Sequence, residues 1–329
     1  MKPRIAILAT GGTIAGVIND AISTTGYKAG ALDIEVLLNA VPQIKEIASI
    51  VGYQVSNIDS SDMSNEIQLK LAKKINKLLA KDEIDAVVIT HGTDTMEESA
   101  YFLHLTIKSD KPVILTGAMR PSTAMSADGS KNLYNAVALA INVKSKSKGV
   151  MIVMNDRILS ARAAVKTHTL NLDAFSSPDF GDLGYILDGK VYFYNTIEKL
   201  HTKNTPFDID YLEDLPKVDI LYTYSNDGNG IAAKALFENG SQALVIAGSG
   251  SGNIHENQKN ILKELMKKNL IVVISSRIQT GEVILSKEDE NLGFICAQDL
   301  NPQKARILLM LALTKTKDLK TIQNFFQTY

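Results

Sequence analysis

The chain has 329 residues, 45% hydrophobic and 22% charged, enough to bury a sizeable core and more than one compact domain usually holds. Thirty-five Lys+Arg against 36 Asp+Glu leave a formal charge of -1, without the basic excess or stripe of a polyanion binder, which argues against nucleic acid and membrane surfaces as partners. One cysteine, Cys296, rules out an intrachain disulfide, and five scattered histidines without H-E-x-x-H or similar spacing leave no metal site expected.

In chain order, Lys2-Pro3-Arg4 leads straight into Ile5–Ala9, a strand-length apolar run that ends in Thr10-Gly11-Gly12-Thr13 and not in a cleavage site. No apolar run approaches the roughly 20 residues that span a bilayer. A cytoplasmic protein is expected from the chain as written, or a periplasmic one if the N-terminus is that of an engineered mature form. Ile5–Ala9, Ala86–Thr90, Val113–Gly117 and Gly149–Met154 read as buried parallel strands. Between them Glu66–Leu79, Met96–Ile107 and Lys131–Val143 carry apolar residues at helical spacing. Thr95-Met96-Glu97-Glu98 has the form of a capping box, so a helix is expected directly after Asp94. The Lys144–Lys148 cluster, Lys alternating with Ser, reads as a solvated helix end.

From about Tyr185 the texture changes. Gly189–Tyr194 suggests a hairpin strand, and 201–217, polar with Pro206 and Pro216, resembles a linker. Alternation then resumes: strand Val218–Tyr224, helix Ile231–Glu238, strand Ala243–Ala247, helix Gln258–Lys268, strand Leu270–Ser275. A last helix, opened by Asn301-Pro302, runs to about Thr314. Cys296, inside the apolar run 293–297, reads as a small buried hydrophobe. The expected fold is α/β. A larger N-terminal domain, 1–195, has a mostly parallel sheet flanked by helices; a linker, 196–217, leads to a smaller C-terminal α/β domain, 218–329.

Three hydroxyl-rich turns follow predicted strands: Thr10–Gly16, Asp59-Ser60-Ser61-Asp62 and Thr90-His91-Gly92-Thr93-Asp94-Thr95. The ends of strands in an open parallel sheet are where ligands bind. The first turn has G-G-x-x-x-G spacing, not the dinucleotide G-x-G-x-x-G, and no P-loop lysine motif exists. The turn Gly248-Ser249-Gly250-Ser251-Gly252 is equally ambiguous alone. Each threonine taken singly reads as a turn or cap residue, Lys166 as a surface lysine, Tyr27 as part of a lid, and Asp62 and His91 as backbone-orienting groups.

Taken together, the turns resemble the bacterial-type L-asparaginases of the asparaginase/glutaminase family, in particular the type II branch. The resemblance rests on Ala9-Thr10-Gly11-Gly12-Thr13-Ile14-Ala15-Gly16 and on Val88-Ile89-Thr90-His91-Gly92-Thr93-Asp94-Thr95-Met96-Glu97-Glu98. It extends to Gly117-Ala118-Met119-Arg120-Pro121-Ser122 and Leu300-Asn301-Pro302-Gln303-Lys304-Ala305-Arg306, and so spans the chain. It implies an enzyme that releases ammonia and L-aspartate from L-asparagine, with weak glutaminase activity and no cofactor. Thr13 matches the nucleophile and Tyr27 the group that takes its proton, polarised by a glutamate of an adjacent subunit. Thr93, Asp94 and Lys166 match a second cluster. The order in which the two threonines act stays open. A threonine hydroxyl is a poor nucleophile at neutral pH and needs such neighbours. Backbone N–H groups near Thr93 and Ala118 are candidates for an oxyanion hole. Substrate binding is implied for Ser60, Ser61, Thr93, Asp94, Ala118 and Ser251, with Asp94 and Glu288 on the ammonium. Glu282 and Glu290 compete with Glu288 for that role. A homotetramer with sites at subunit contacts is implied as well.

Two residues depart from the family pattern: Ser61, where many members carry Gln or Glu, and Ser251, where many carry Asn. Both lie where pocket length is set and are expected to disfavour glutamine, one methylene longer. Other readings are a glutaminase-asparaginase, an amidase acting on an Asn-containing macromolecule, and a nucleotide- or amino-acid-binding module without turnover.

Overall fold

The first apolar run becomes β1 (Arg4–Gly11), with every residue after Arg4 buried. It pairs in parallel with β2 (Ser49–Ile58) on one side and β3 (Ala86–Thr90) on the other. β4 (Val113–Thr116) and β5 (Val150–Met154) continue the parallel sheet outward from β3. β1, β3, β4 and β5 are covered on both faces, which is why they are continuous apolar runs. β2 is the sheet edge, half exposed, and its mixed composition offers no such run. This computed structural model describes every residue except Met1, Thr24 and Tyr27.

The sheet then reverses direction. β6 (Arg157–Ser160) returns antiparallel to β5 through Asn155-Asp156, both at positive φ (49° and 64°), the geometry of a two-residue hairpin turn. A short ribbon of β7 (Val165–Lys166) and β8 (Phe175–Ser176) follows. β9 (Gly184–Leu187) and β10 (Lys190–Phe193) form the expected hairpin and complete the order β10-β9-β6-β5-β4-β3-β1-β2. The helices of this region are α1 (Ile34–Asn39), α2 (Ile44–Ile47), α3 (Asn65–Leu79), α4 (Met96–Thr106) and α5 (Gly129–Ala140). α1, α2 and α5 pack on the face that carries Ile5, Ile7, Val88 and Ile114. α3 and α4 pack against each other.

One local expectation fails. α4 starts at Met96 as read from the sequence, but Thr95 makes no side-chain cap. Its hydroxyl instead donates to Ser60 O at 2.8 Å, tying the turn after β3 to the turn after β2. The stretch beyond β10 also differs from a free linker. His201, Thr202, Thr205, Phe207 and Ile209 are buried, and Lys108 Nζ donates to Thr205 O at 2.7 Å. By its contacts the chain divides into Met1–Glu213 and Asp214–Tyr329.

The second unit has four parallel strands in sequential order: β11 (Val218–Tyr222), β12 (Ala243–Gly248), β13 (Ile271–Ser276) and β14 (Ile295–Cys296). Its helices are α6 (Ile231–Glu238), α7 (Glu256–Met266), α8 (Lys287–Asn291), α9 (Pro302–Leu313) and α10 (Leu319–Thr328). α9 begins as expected: Asn301 caps by accepting from Lys304 N at 3.0 Å, with Pro302 at the first helical position. Cys296 is buried, and that burial pushes its thiol pKa up, so it is a poor thiolate source. No helix among the described residues is long and apolar enough to cross a membrane.

Candidate active site

The order β2-β1-β3-β4-β5 places the winding reversal at β1 and β3. Connections leaving these two strands go opposite ways, which opens a crevice at their carboxyl ends. Five of the predicted residues follow strands β1 to β4. Thr13 opens a short 3-10 turn after β1, Ser60 a similar turn after β2, Thr93 and Asp94 follow β3, and Ala118 follows β4.

Glycine lets these turns meet. Gly12, at φ 80°, is so close to Gly92 that a Cβ on it would stand 2.3 Å from the Gly92 Cα. A Cβ on Gly92 would stand 2.6 Å from Ser60 Oγ. Three turns therefore touch through backbone and one hydroxyl, with no room for larger residues. Thr10 adds a buried bond from Oγ1 to Thr90 O at 3.0 Å, fixing β1 to β3 just below.

Around this contact the polar groups form a chain. Lys166 Nζ donates to Thr93 Oγ1 at 2.9 Å and to Asp94 Oδ1 at 2.5 Å. Asp94 N donates to Ser60 Oγ at 3.1 Å. Thr93, Thr13 and Ser60 are buried, whereas the Asp94 side chain is 61% exposed and open to an incoming cation. Lys166 reaches the site from β7, and its backbone N donates to Glu97 Oε2 at 2.6 Å. An ammonium 2.9 Å from a threonine oxygen stabilises the alkoxide that oxygen would become. A carboxylate on the same ammonium holds it in place.

His91 sits beneath the site, fully buried, with its pKa lowered from 6.5 to about 4 by desolvation. Its neutral ring donates from Nδ1 to Gly92 O at 2.7 Å, the backbone-orienting role expected of it. Asp62 is exposed. Ser61 is exposed beside Ser60, its backbone N donating to Asp59 Oδ1 at 3.2 Å.

Ser251 and Glu288 belong to the second unit. Ser251 is exposed at the tip of a turn closed by the Ser249–Asn253 bridge. Glu288 lies on α8 with its side chain 74% exposed, 4.0 Å from Lys263 Nζ. Tyr27 lies outside the described residues. Sequence reasoning did not single out Glu97, Asp128 or Asn132, whose side chains hold the backbone of the site. Each bonds to a main-chain atom distant in sequence, for which residue type and spacing carry no signal. Among the described residues no group of His, Cys, Asp and Glu has a metal-holding arrangement.

Known proteins resemble this chain over nearly its whole length. The family model for the asparaginase N-terminal domain matches residues 4–199, and that for the glutaminase/asparaginase C-terminal domain matches 217–326. The chain is 50% identical to L-asparaginase 2 of Bacillus subtilis (strain 168), covering 99% of this chain and 87% of that protein. It is 45% identical to the glutaminase-asparaginase of Pseudomonas aeruginosa, covering 99% and 90%. A crystal structure of a probable cytoplasmic L-asparaginase from Campylobacter jejuni superposes with a TM-score of 0.98 at 69% identity, over 100% of both chains. With both family models matched in order over nearly its full length, and the strand-end crevice where the signatures converge, the chain belongs to the asparaginase family.

Proposed function

We propose that this protein is an L-asparagine amidohydrolase that releases L-aspartate and ammonia by threonine catalysis, with weak activity on L-glutamine. The observation that carries the site assignment is the Thr93–Lys166–Asp94 chain at the crevice between β1 and β3.

In this reading Thr13 Oγ attacks the side-chain carbonyl carbon and its proton passes to Tyr27. The C–N bond breaks and the nitrogen leaves as ammonia, taking up that proton. Water, held at Thr93 beside Lys166, then adds to the acyl-Thr13 ester, and aspartate departs. The Thr93 and Ala118 backbone N–H groups, which meet no acceptor among the described residues, would serve the developing oxyanion. Such a donor is worth about 3–4 kcal/mol. Exposed Asp94 takes the substrate ammonium with Glu288, and Ser60 and Ser61 take the carboxylate.

The exposure of Ser251 and Glu288 supports sites completed by a neighbouring subunit in a homotetramer. So do the apolar groups exposed in the same unit, Tyr224, Ile231, Ile278 and Ile284. In this reading the functional division is 1–195, 196–217 and 218–329, with 201–209 packed on the first unit and not free. A cytoplasmic location is proposed on the likeness to the Campylobacter protein.

Ammonia release from asparagine and glutamine, measured on the wild type and on Thr13→Ala and Thr93→Ala, tests the proposal. The wild type is expected to prefer asparagine by at least about ten-fold in kcat/KM, the effect of Ser61 and Ser251 on pocket length. Each alanine variant is expected to abolish turnover. Parity between the amides removes the selectivity argument, and near-full kcat in either variant removes that threonine's role.

A further inference from the structure

Ala118 is fully buried, yet neither its N–H nor its C=O meets a protein partner among the described residues. Leaving buried peptide groups unpaired costs about 1–3 kcal/mol each, so such groups are normally completed by a ligand or water.

Two side chains fix where both groups point. Asn132 Nδ2 donates to Gly117 O at 3.0 Å. The Gly117–Ala118 peptide is trans, so the Ala118 N–H points away from Asn132. Asp128 Oδ2 accepts from Met119 N at 3.0 Å, and Oδ1 accepts from Arg120 N at 3.0 Å. By the same planarity the Ala118 C=O points away from Asp128. Asn132 Nδ2 also donates to Asp128 Oδ2 at 3.0 Å, so the two anchors stand together on one side of the turn. The polar groups of Ala118 face the other.

These anchors are not ordinary helix-end residues. Asp128 is the N-cap of α5 but makes no cap bond, although an N-cap aspartate usually accepts from the second or third helical amide. Its carboxylate is spent on the turn after β4 instead. Asn132 is 2% exposed, and its Oδ1 accepts from Asn155 N at 3.1 Å, which locks the amide orientation. The turn lies against the catalytic strand end: a Cβ on Gly117 would stand 3.4 Å from Thr93 Cγ2.

A primary amide can complete one residue's N–H and C=O at once. The same chain contains such a pairing: Gln323 Oε1 accepts from Cys296 N at 2.7 Å while Nε2 donates to Cys296 O at 3.1 Å. We propose that Asp128 and Asn132 are positioning residues that aim the Ala118 N–H and C=O at the substrate's side-chain carboxamide. This rests on the asparagine-hydrolysis reading. Asn132 sets the donor toward the carbonyl oxygen, and Asp128 sets the acceptor toward the departing nitrogen.

The test compares asparagine with the β-methyl ester of aspartate, which keeps the carbonyl and the α-groups but has no N–H to give. Asp128→Asn is expected to lower kcat/KM for asparagine at least about ten-fold and the ester much less, so that the amide-to-ester ratio falls. Asn132→Leu is expected to lower kcat on both substrates at least about ten-fold, with KM for asparagine within about three-fold, in protein that melts as the wild type does. If Asp128→Asn does not fold, Asp128→Ser, which keeps one acceptor, is expected to give an intermediate ratio. An unchanged ratio in either Asp128 variant, or an Asn132→Leu effect confined to KM, overturns the proposal. A wild type that releases no ammonia from asparagine defeats the activity reading itself, which is a separate outcome.

Discussion

The strand ends of the two units are made of similar materials, glycine and hydroxyl residues following parallel strands, but they differ in what they can build. In the first unit the order β2-β1-β3 reverses, and the turns after these strands collapse onto one another through Gly12, Gly92 and Ser60. In the second unit the strands run β11-β12-β13-β14 without reversal, so no crevice opens between diverging connections. Its turn folds back on its own strand instead. Gly248 crowds Gly252, and Ser276 Oγ donates to Gly250 O at 2.6 Å, which leaves Ser251 exposed. One region is a buried, cross-braced array. The other presents single side chains outward from a rigid loop.

The comparison can be broken most sharply at its charged centre. Lys166→Met removes the ammonium shared by Thr93 and Asp94, and kcat is expected to fall about a thousand-fold or more, roughly 4 kcal/mol in the barrier. Steady-state ammonia release checks this, and a loss under ten-fold would remove Lys166 from the chemistry.

Glycine substitutions compare the packing of the two regions. Gly12→Ala adds a clash with Gly92 to an unfavourable φ of 80° and is expected to cost about 3 kcal/mol or more. Gly281→Ala in the second unit, at φ 85° but with nothing within 4 Å of the added Cβ, is expected to cost only the backbone strain of about 1–2 kcal/mol. Equal losses in denaturant midpoint would contradict the picture of a crowded first crevice and an open second loop.

His91 gives the buried array a pH signature. Its folded pKa of about 4 lies below the ordinary 6.5, so the unfolded chain takes up a proton that the native site refuses. This contribution is fully present above pH 6.5 and is lost as pH falls toward 4, a total of about 3 kcal/mol. Urea unfolding at pH 7 and pH 4.5 is expected to show a steeper loss for the wild type than for His91→Gln. Parallel slopes would place that pH dependence elsewhere.

The smallest expected effect belongs to the exposed region. Glu288→Gln is expected to raise KM for asparagine about ten-fold with little change in kcat, since it would touch the substrate ammonium and not the reacting carbon. Light scattering on the same variant is expected to give a tetramer. Full activity in a monomeric preparation would show that the first unit needs no neighbour.

Much of this was legible residue by residue. β1, β3, β4 and β5 stand out because strands covered on both faces must be apolar throughout, and Asn301-Pro302 marks the start of α9 because capping is a local bond. The half-exposed edge strand β2 lacks that signal. Thr95 reads as a cap but bonds across to Ser60, because a hydroxyl at a crowded strand end has a nonlocal acceptor within reach.

By itself the sequence determined the alternation of elements, the absence of cysteine and metal-ligand patterns, and which hydroxyl-rich turns carry the family's signatures. Those are properties of neighbours in the chain, where spacing is geometry. Only the tertiary structure decided that the lysine of the expected Thr93–Asp94–Lys166 cluster arrives from a two-residue strand, and that Glu97, Asp128 and Asn132 hold the backbone of the site. Those bonds join residues that the fold brings together from β7, the start of α4 and the start of α5, and no local pattern encodes a partner supplied by a distant element.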